Sequence, residues 1–203
     1  MKETFDMRHV FHPGFAAAAL FLTVAAMPGP VSANEYAAQI QRFVDARIRP
    51  WLQDPEVVAA LHEQNAEHAG LDQAGIDRLD DTWRGEAELG GGPMISQVLS
   101  RPLSQLLTRQ KNSNGTVVTE MFLMDNRGLN AGQSDVTSDY WQGDEAKWQK
   151  TFLVGPDAVF IDEIEFDEST EMFQTQVSVS IADPATGDAI GAVTIGLNVE
   201  ELQ

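Results

Sequence analysis

Hydrophobic residues recur at helical spacing through the first part of the chain and at strand spacing through the second. Between residues 34 and 113, apolar side chains return every three or four positions, which predicts a series of amphipathic helices. Pro50 is expected to end or kink the first helix. Asp54-Pro55 then supplies an N-cap followed by proline at the first helical position. The helix that begins there is expected to run to about His68 and to stop at Gly70.

From residue 114 to residue 203 the apolar positions follow the two-residue period of β-strands. Five stretches carry this pattern and are predicted strands: Thr116 to Met124, Leu129 to Gln133, Ala158 to Phe166, Met172 to Ala182 and Ala189 to Val199. Short polar connections join the last three and are typical of hairpins. The predicted fold is α+β, with N-terminal helices packed on a five-stranded antiparallel sheet. The two segments, 34–113 and 114–203, are expected to form one folded unit.

The last two predicted strands have one apolar face and one face of small, uncharged residues. The apolar face is expected to pack against the helices and comprises Val177, Val179, Ile195 and Leu197. The opposite face comprises Gln176, Ser178, Ala192, Thr194, Gly196 and Asn198. Solvent exposure of such a face is common in antiparallel sheets. In a chain so rich in carboxylates, however, an uncharged face favours the floor of a pocket.

The segment between the second and third strands, from Asp125 to Phe152, concentrates aromatic and charged residues. A short helix is expected in it, beginning near Asp139 or Gly143. Apolar walls with a few polar groups are what a small-molecule pocket uses, and five residues of the segment have that character: Tyr140, Trp141, Asp144, Lys147 and Trp148. We predict that these residues bind a ligand together with Gln176 and Asn198 of the sheet.

Two members of this predicted site also have a structural interpretation. Lys147 either meets a carboxylate of the ligand or forms a surface ion pair with Asp144, three residues earlier on the predicted helix, and the spacing leaves both open. Trp148 either walls the ligand or packs in the core, and its size favours core packing.

The charge of the chain restricts its partners. The net charge is −18, so the surface repels phosphate backbones and anionic lipids. Binding to nucleic acid or to a membrane surface is therefore not expected. A ligand that is itself an anion requires a local cationic group. The chain has no cysteine and hence forms no disulfide.

The N-terminus has the order of a secretory signal peptide. An apolar run from Phe15 to Met27 is followed by the small-residue site Val31-Ser32-Ala33, which predicts cleavage after Ala33. The run is shorter than the roughly 20 residues that a membrane span requires, although an uncleaved anchor is the alternative. We expect a periplasmic mature protein, beginning at Asn34, that does not insert into the membrane.

No arrangement of residues predicts catalysis, a metal site or a cofactor. His62 and His68 lie six positions apart on a predicted helix, which is not the four-residue spacing of a zinc-binding pair. Both are expected on a solvated helix face. Gly132-Gln133-Ser134 lacks the second glycine of a nucleophile elbow. The chain is therefore predicted not to be an enzyme.

Several motifs make the chain resemble extracytoplasmic single-Cache sensor domains, which are PAS-like and are also called PDC domains. The most specific is the run from Ser134 to Trp148, SDVTSDYWQGDEAKW, which resembles stand-alone periplasmic members. The resemblance extends to four shorter elements: Gln64-Asn65, Leu79-Asp80, Asp183 to Gly187 and Ile190 to Val193. It covers most of the mature chain.

This resemblance implies a long N-terminal helix on one sheet face and a small-molecule pocket on the other, roofed by the segment between the second and third strands. It implies a small metabolite as ligand, such as a carboxylate or an amino acid. Readout is implied through a membrane histidine kinase or a chemoreceptor. Because the sequence ends at Gln203, where a receptor would continue into a membrane helix, we expect the signal to pass to a separate protein. The alternative is a ligand-free periplasmic interaction protein that docks a membrane partner.

Overall fold

The computed structural model describes residues 36–167 and 172–202. These residues belong to a compact unit that spans Ser32–Gln203. The predicted signal peptide and its cleavage site, within residues 1–33, lie outside the described residues. Within the described ranges, every helix lacks the combination of length and apolar character that crossing a membrane requires.

Helices occupy the first half of the described chain, as their periodicity predicted. They are α1 (Ala37–Phe43), α2 (Arg49–Leu52), α3 (Pro55–Glu67), α4 (Gln73–Glu88), α5 (Pro93–Ser100) and α6 (Pro102–Ser113). The predicted cap of α3 is confirmed, because the Glu56 N–H donates to Asp54 Oδ1 at 2.9 Å. A π-helical turn, Val44–Ile48, joins α1 to α2. Pro50 has no N–H to donate, and the wider π-helical turn directly before it accommodates this loss. The helical path therefore continues to Leu52 instead of ending at the proline.

An antiparallel sheet follows the helices. Its strands are β1 (Val118–Met124), β2 (Asn130–Gln133), β3 (Val159–Ile161), β4 (Glu165–Asp167), β5 (Met172–Ala182) and β6 (Ala189–Asn198). Their order across the sheet is β2-β1-β6-β5-β3, and β4 also pairs with β5. A one-turn helix, α7 (Ala146–Gln149), lies between β2 and β3 in sequence. The predicted α+β class with an antiparallel sheet is confirmed.

One predicted strand, Ala158 to Phe166, is divided into β3 and β4 by a bulge. Between the paired residues Ile161 and Glu165 lie three residues, whereas only two lie between their partners on β5. The extra residue shifts the alternation of faces by one position. As a result Ile161 and Ile164, three residues apart, both pack against the core.

The main core lies between the first sheet face and helices α1, α3 and α6. The predicted apolar set of Val177, Val179, Ile195 and Leu197 is confirmed, since all four have an exposed fraction of 0%. Helical residues such as Ile40, Leu61 and Leu107 belong to the same buried cluster. Helices α4 and α5 build a second cluster around Trp83 and Tyr140.

The helix predicted near Asp139 or Gly143 is shorter than expected and begins only at Ala146. Before it, Trp141 forms an antiparallel bridge with Leu129, at the outer edge of the sheet beside β2. The Asn130 N–H donates to the Tyr140 carbonyl at 2.9 Å. Backbone pairing with a strand therefore replaces the helical hydrogen bonds in this part of the segment.

Candidate functional site

The second face of the sheet, opposite the main core, has two halves with different covers. We call one the roofed half, made of the neighbouring cross-strand residues Phe122, Thr194 and Ser178 with Met124 and Ala192 beside them. We call the other the open half, made of the next row along the strands: Glu120, Gly196, Gln176 and Asp162.

Aromatic side chains fill the roofed half. Trp148 and Phe152 stack with their ring centroids 5.2 Å apart and pack against the cluster around Phe122. Beneath them Ser178 and Thr194 have an exposed fraction of 0%, and their hydroxyls are hydrogen-bonded to each other at 2.9 Å. The core packing that the sequence favoured for Trp148 is what the structure contains.

Lys147 has partners within the protein. Its Nζ lies 2.8 Å from Glu145 Oε2, donates to Gln142 Oε1 at 3.2 Å and is 5.5 Å from the centroid of the Phe122 ring. The alternative ion pair with Asp144 is wrong, because α7 begins after Asp144 and the pair forms with Glu145 instead. Its charge is compensated, and it does not border the open half.

Tyr140 and Trp141 face helix α4 and not the sheet floor. The Tyr140 ring stacks on Trp83 at 5.4 Å between centroids and is 2% exposed. Burial raises the pKa of Tyr140, and the nearby Arg101 partly offsets this effect. The backbone N–H groups of Tyr140 and Trp141 both donate to Asp80 Oδ1, at 2.9 and 3.0 Å. These two aromatic residues therefore fasten the segment to α4.

A groove of about 520 Å³ lies over the open half. Its described lining comprises Glu120, Asp162, Glu163, Glu165, Phe166, Gln174, Thr175, Gln176 and Gly196. On the floor, Gln176 Nε2 donates to Glu120 Oε1 at 2.9 Å. The Glu120 side chain lies over Gly196, where any added Cβ would overlap Glu120 and Thr119. Of the seven predicted site residues, only Gln176 lines this groove.

Two bulges border the groove on opposite sides. In β1 the register shifts between Val118 and Glu120, which leaves Thr119 as an extra residue opposite β6. On the other side is the bulge between β3 and β4, from which Asp162 and Glu163 line the groove. Bulges bend a strand, increase its local twist and redirect its side chains. Here they direct carboxylates toward the groove.

The charge of this groove is one-sided. Its described lining has four carboxylates, from Glu120, Asp162, Glu163 and Glu165, and no lysine, arginine or histidine. Phe166 adds an aromatic wall, tilted against Phe173 with their centroids 5.1 Å apart. Within the described residues no group of three or more histidine or acidic side chains is arranged to hold a metal ion. The described lining of the groove is thus strongly anionic.

Asn198 serves the backbone. Its Oδ1 accepts the Glu200 N–H at 3.1 Å and caps a short 3₁₀ turn, while its Nδ2 lies 3.0 Å from the sulfur of Met172. Its exposed fraction is 4%. Although it lies beside the open half, it does not line the groove.

The expectation of a solvated face is wrong for His68. Its Nδ1 lies 2.6 Å from Oδ2 of Asp125, a carboxylate with an exposed fraction of 0%. His62 Nε2 lies 2.9 Å from Asp183 Oδ2. The Ala185 N–H, foremost, and His62 lower the pKa of Asp183. Both histidines thus join helix α3 to loops of the sheet.

The groove-lining acids were missed, although the sequence contains two signals for them. Glu120 is the one acid within a predicted strand rich in apolar residues, and it lies two positions from Phe122. Ile161 and Ile164 are both large and apolar at a three-residue spacing, which a regular strand cannot bury on one face. Together they indicate a bulged edge with a carboxylate on the second face.

The chain matches no protein-family model and no curated protein. Solved structures that match include the sensor domain of the V. cholerae histidine kinase DctB, at 13% identity and a TM-score of 0.39, covering 81% of this chain and 55% of that one. The ligand-binding domain of the Campylobacter jejuni chemoreceptor Tlp3, in complex with 4-methylisoleucine, matches at 15% identity and a TM-score of 0.37, covering 85% of this chain and 63% of that one. The E. coli DcuS sensor domain matches at 19% identity and 0.36, covering 62% and 92%.

These structures are sensor or ligand-binding domains of histidine kinases and chemoreceptors. The chain spans between about half and two thirds of the length of the first two.

Proposed function

We propose that this chain is a periplasmic small-molecule-binding sensor module, whose ligand carries an ammonium group and binds over the open half of the second face. One observation carries the proposal: a groove of about 520 Å³ whose described lining has four carboxylates and no cationic side chain. Concave sites with a few convergent polar groups are the usual form of small-molecule sites. The Cache resemblance implies ligand binding on the same sheet face.

The Glu120 carboxylate is already oriented on the groove floor. Gln176 fixes one oxygen of Glu120 at 2.9 Å, so the other is oriented without further loss of side-chain freedom. Hydrogen bonds between an ammonium and a carboxylate are stronger than neutral ones. An amino acid has an ammonium group that can bind here, whereas a ligand whose only charge is a carboxylate is repelled by the acidic lining.

In this proposal Lys147 is not the ligand anchor, and Tyr140, Trp141 and Trp148 support the fold around the groove. Their contacts with Glu145, Asp80 and the Phe122 cluster support that assignment. Asp144 is exposed and Asn198 is engaged with backbone, so neither has a binding role here.

A separate partner would read the bound state. We propose a membrane histidine kinase or chemoreceptor for this role, in line with the Cache resemblance. Support comes from two exposed aromatic residues: Phe166, which lines the groove and is 51% exposed, and Phe173, which packs against Phe166 and is 46% exposed. A ligand that contacts Phe166 changes the apolar surface beside it, and such a surface is a suitable contact for a protein.

A ligand-free interaction protein is the second candidate function. The filled roofed half favours it, because Trp148 and Phe152 leave Ser178 and Thr194 with an exposed fraction of 0%. The open groove favours the sensor. A ligand test at the groove distinguishes the two.

The test is calorimetric titration of the protein with ethylamine and 1,4-diaminobutane, with acetate as the anionic comparison. We expect both amines to bind and acetate not to bind. Glu120→Gln should weaken amine binding about tenfold, since a hydrogen bond to a charged group contributes about 1.5–3 kcal/mol. Glu88→Gln on exposed α4 removes the same charge away from the groove and is the matched control.

The proposal fails if neither amine produces heat above dilution, and the interaction-protein function is then favoured. It also fails if Glu120→Gln and Glu88→Gln weaken binding equally, because that result reports net charge and not a site. Added salt should weaken binding, as it screens the carboxylates.

A further inference from the structure

A second concave surface lies on the opposite side of the fold from the sheet groove, between α3 and the junction of α5 with α6. We call it the helix groove. Its volume is about 410 Å³. One wall is helix α3 with Glu63 and Glu67, and the other includes Arg101, which lies between α5 and α6.

Arg101 is held in place by uncharged acceptors. Its Nη1 donates to Gln64 Oε1 at 2.7 Å and to the Ala131 carbonyl at 2.9 Å. The guanidinium lies close enough to Tyr140 to lower the pKa of that phenol in part. Gln64 and Ala131 themselves line the helix groove, so these bonds locate the guanidinium at its floor. A side chain fixed in this way is preorganised for a ligand.

Among the described residues, no carboxylate forms an ion pair with Arg101. The carboxylates that do form ion pairs have other cationic partners. Two N–H donors of the five are occupied at Nη1, and the fork geometry of the others matches a carboxylate. This half-buried guanidinium is therefore suited to an anionic group from outside the chain.

The opposite wall carries the opposite charge. Glu63 and Glu67 are four residues apart on α3, and Glu56 precedes Glu63 by seven, so all three carboxylates follow one helix face that lines the groove. Like charges at this spacing destabilise a helix slightly. A purely anionic ligand would meet repulsion from this wall, and a purely cationic ligand would meet repulsion from Arg101.

From this opposition of charges we infer that the helix groove is a second ligand site, which takes a small zwitterion. The ligand's carboxylate binds Arg101, and its ammonium binds Glu63 and Glu67. This site is separate from the sheet groove and does not depend on it.

The experiment follows backbone amide signals by two-dimensional NMR while the ¹⁵N-labelled protein is titrated. The probes are glycine, 3-aminopropanoate and 5-aminopentanoate, which separate the two charges by increasing lengths, with acetate and ethylamine as single-charge comparisons. Signals of Ala60 and Gly132 report the helix groove, and the signal of Gly196 reports the sheet groove. Failure of one site is therefore distinguishable from failure of the other.

We expect at least one zwitterion to shift Ala60 and Gly132 saturably, with acetate and ethylamine binding at least tenfold more weakly there. Arg101→Gln should weaken the zwitterion at least tenfold, and Arg109→Gln, an exposed position on α6, should not. Absence of a saturable shift for all three zwitterions would overturn the inference. So would acetate binding as tightly as the zwitterions, or affinity that survives Arg101→Gln.

Because Arg101 also holds Gln64 and Ala131, Arg101→Gln could lose the native fold. The double variant Glu63→Gln, Glu67→Gln changes only exposed side chains and provides the second test. Weaker zwitterion binding by the double variant supports the inference. Unchanged binding by the double variant overturns it.

Discussion

Ser178 and Gln176 lie two residues apart on β5 and point to the same sheet face, yet one is covered and the other borders an open groove. Ser178 has an exposed fraction of 0% beneath the stacked rings of Trp148 and Phe152. Gln176 borders an open groove and binds Glu120. The strand pattern alone treats these two positions as equivalent.

The difference comes from the neighbours across the sheet. Ser178 is paired with Thr194, which is followed on β1 by Phe122, and the aromatic roof packs on that row. Gln176 is paired with Gly196, which is followed by Glu120. The row that contains Phe122 is covered by aromatic rings because this removes apolar surface from water. The row that contains Gly196 and Glu120 lies between two bulges and stays hydrated.

The largest expected effect comes from adding one carboxylate to each half. Ser178→Asp places a carboxylate at a position with an exposed fraction of 0%, so we expect the free energy of unfolding to fall by more than about 3 kcal/mol. Gln176→Glu adds its charge to the open groove, and we expect a loss below about 1 kcal/mol. Urea denaturation of both variants measures the difference.

Ser178→Ala is the control, because it removes only the hydroxyl pair with Thr194 and should cost about 1 kcal/mol. Equal losses for Ser178→Asp and Gln176→Glu would mean that the two halves are equally accessible to water. The comparison would then be wrong.

Removing the roof is the next largest effect. Trp148→Ala deletes a ring that stacks on Phe152 and donates from Nε1 to the Asp125 carbonyl at 3.2 Å. We expect a loss of about 2–4 kcal/mol, at or below the range for buried tryptophan, because Trp148 is only partly buried. Thermal unfolding measures the loss. The sheet groove should keep its amine affinity, and a parallel loss of binding would show that the halves act as one site.

The parts of the fold that local patterns determine were predictable. The Asp54 cap, the bounds of β5 and the apolar face with Val179 and Leu197 depend on spacing of two or four residues and on one turn motif. The resemblance added the sheet face on which a ligand is expected. These predictions needed no knowledge of which distant residues meet.

The site was less predictable because it depends on long-range polar contacts. The local sequence predicts that Tyr140 and Trp141 are helical. In the structure their backbone N–H groups instead donate to Asp80, sixty residues earlier in the chain. The local sequence likewise predicts a solvated His68, whereas its Nδ1 lies 2.6 Å from Asp125 Oδ2. In each case a single carboxylate outweighs the local preference, since an unpaired buried polar group is costly.

A smaller effect is expected at the floor of the groove. Gly196→Ala introduces a Cβ that overlaps Glu120 and Thr119, so the Glu120 side chain must leave the floor. We expect a stability loss of about 1–2 kcal/mol from this overpacking and at least a tenfold weaker affinity for ethylamine. Calorimetry measures both. Gly187→Ala would not serve as a control because its φ of 79° is itself strained, whereas Gly85, with open space around it, does serve.

The smallest effect is expected at Lys147, and it separates the two interpretations of the whole face. Its ion pair with Glu145 and its position 5.5 Å from the Phe122 ring are partly solvated contacts, so Lys147→Ala should cost about 0.5–1 kcal/mol. Lys150→Ala, which removes a similar contact 4.2 Å from the Phe160 ring, is the matched control. Ethylamine affinity should be the same in both variants within about twofold, because neither lysine lines the groove.

The contrary outcome has a clear form. Suppose that acetate or another simple carboxylate raises the melting temperature of the protein, and that Lys147→Ala abolishes this shift while Lys150→Ala keeps it. Lys147 would then be the anchor that its sequence context suggested, and binding would require Glu145 to release it. Because breaking that pair costs binding free energy, such a ligand would bind more weakly than its contacts predict, and Glu145→Gln would strengthen it. The open half would then be a polar surface beside the site, and the roofed half would be the pocket in its closed state.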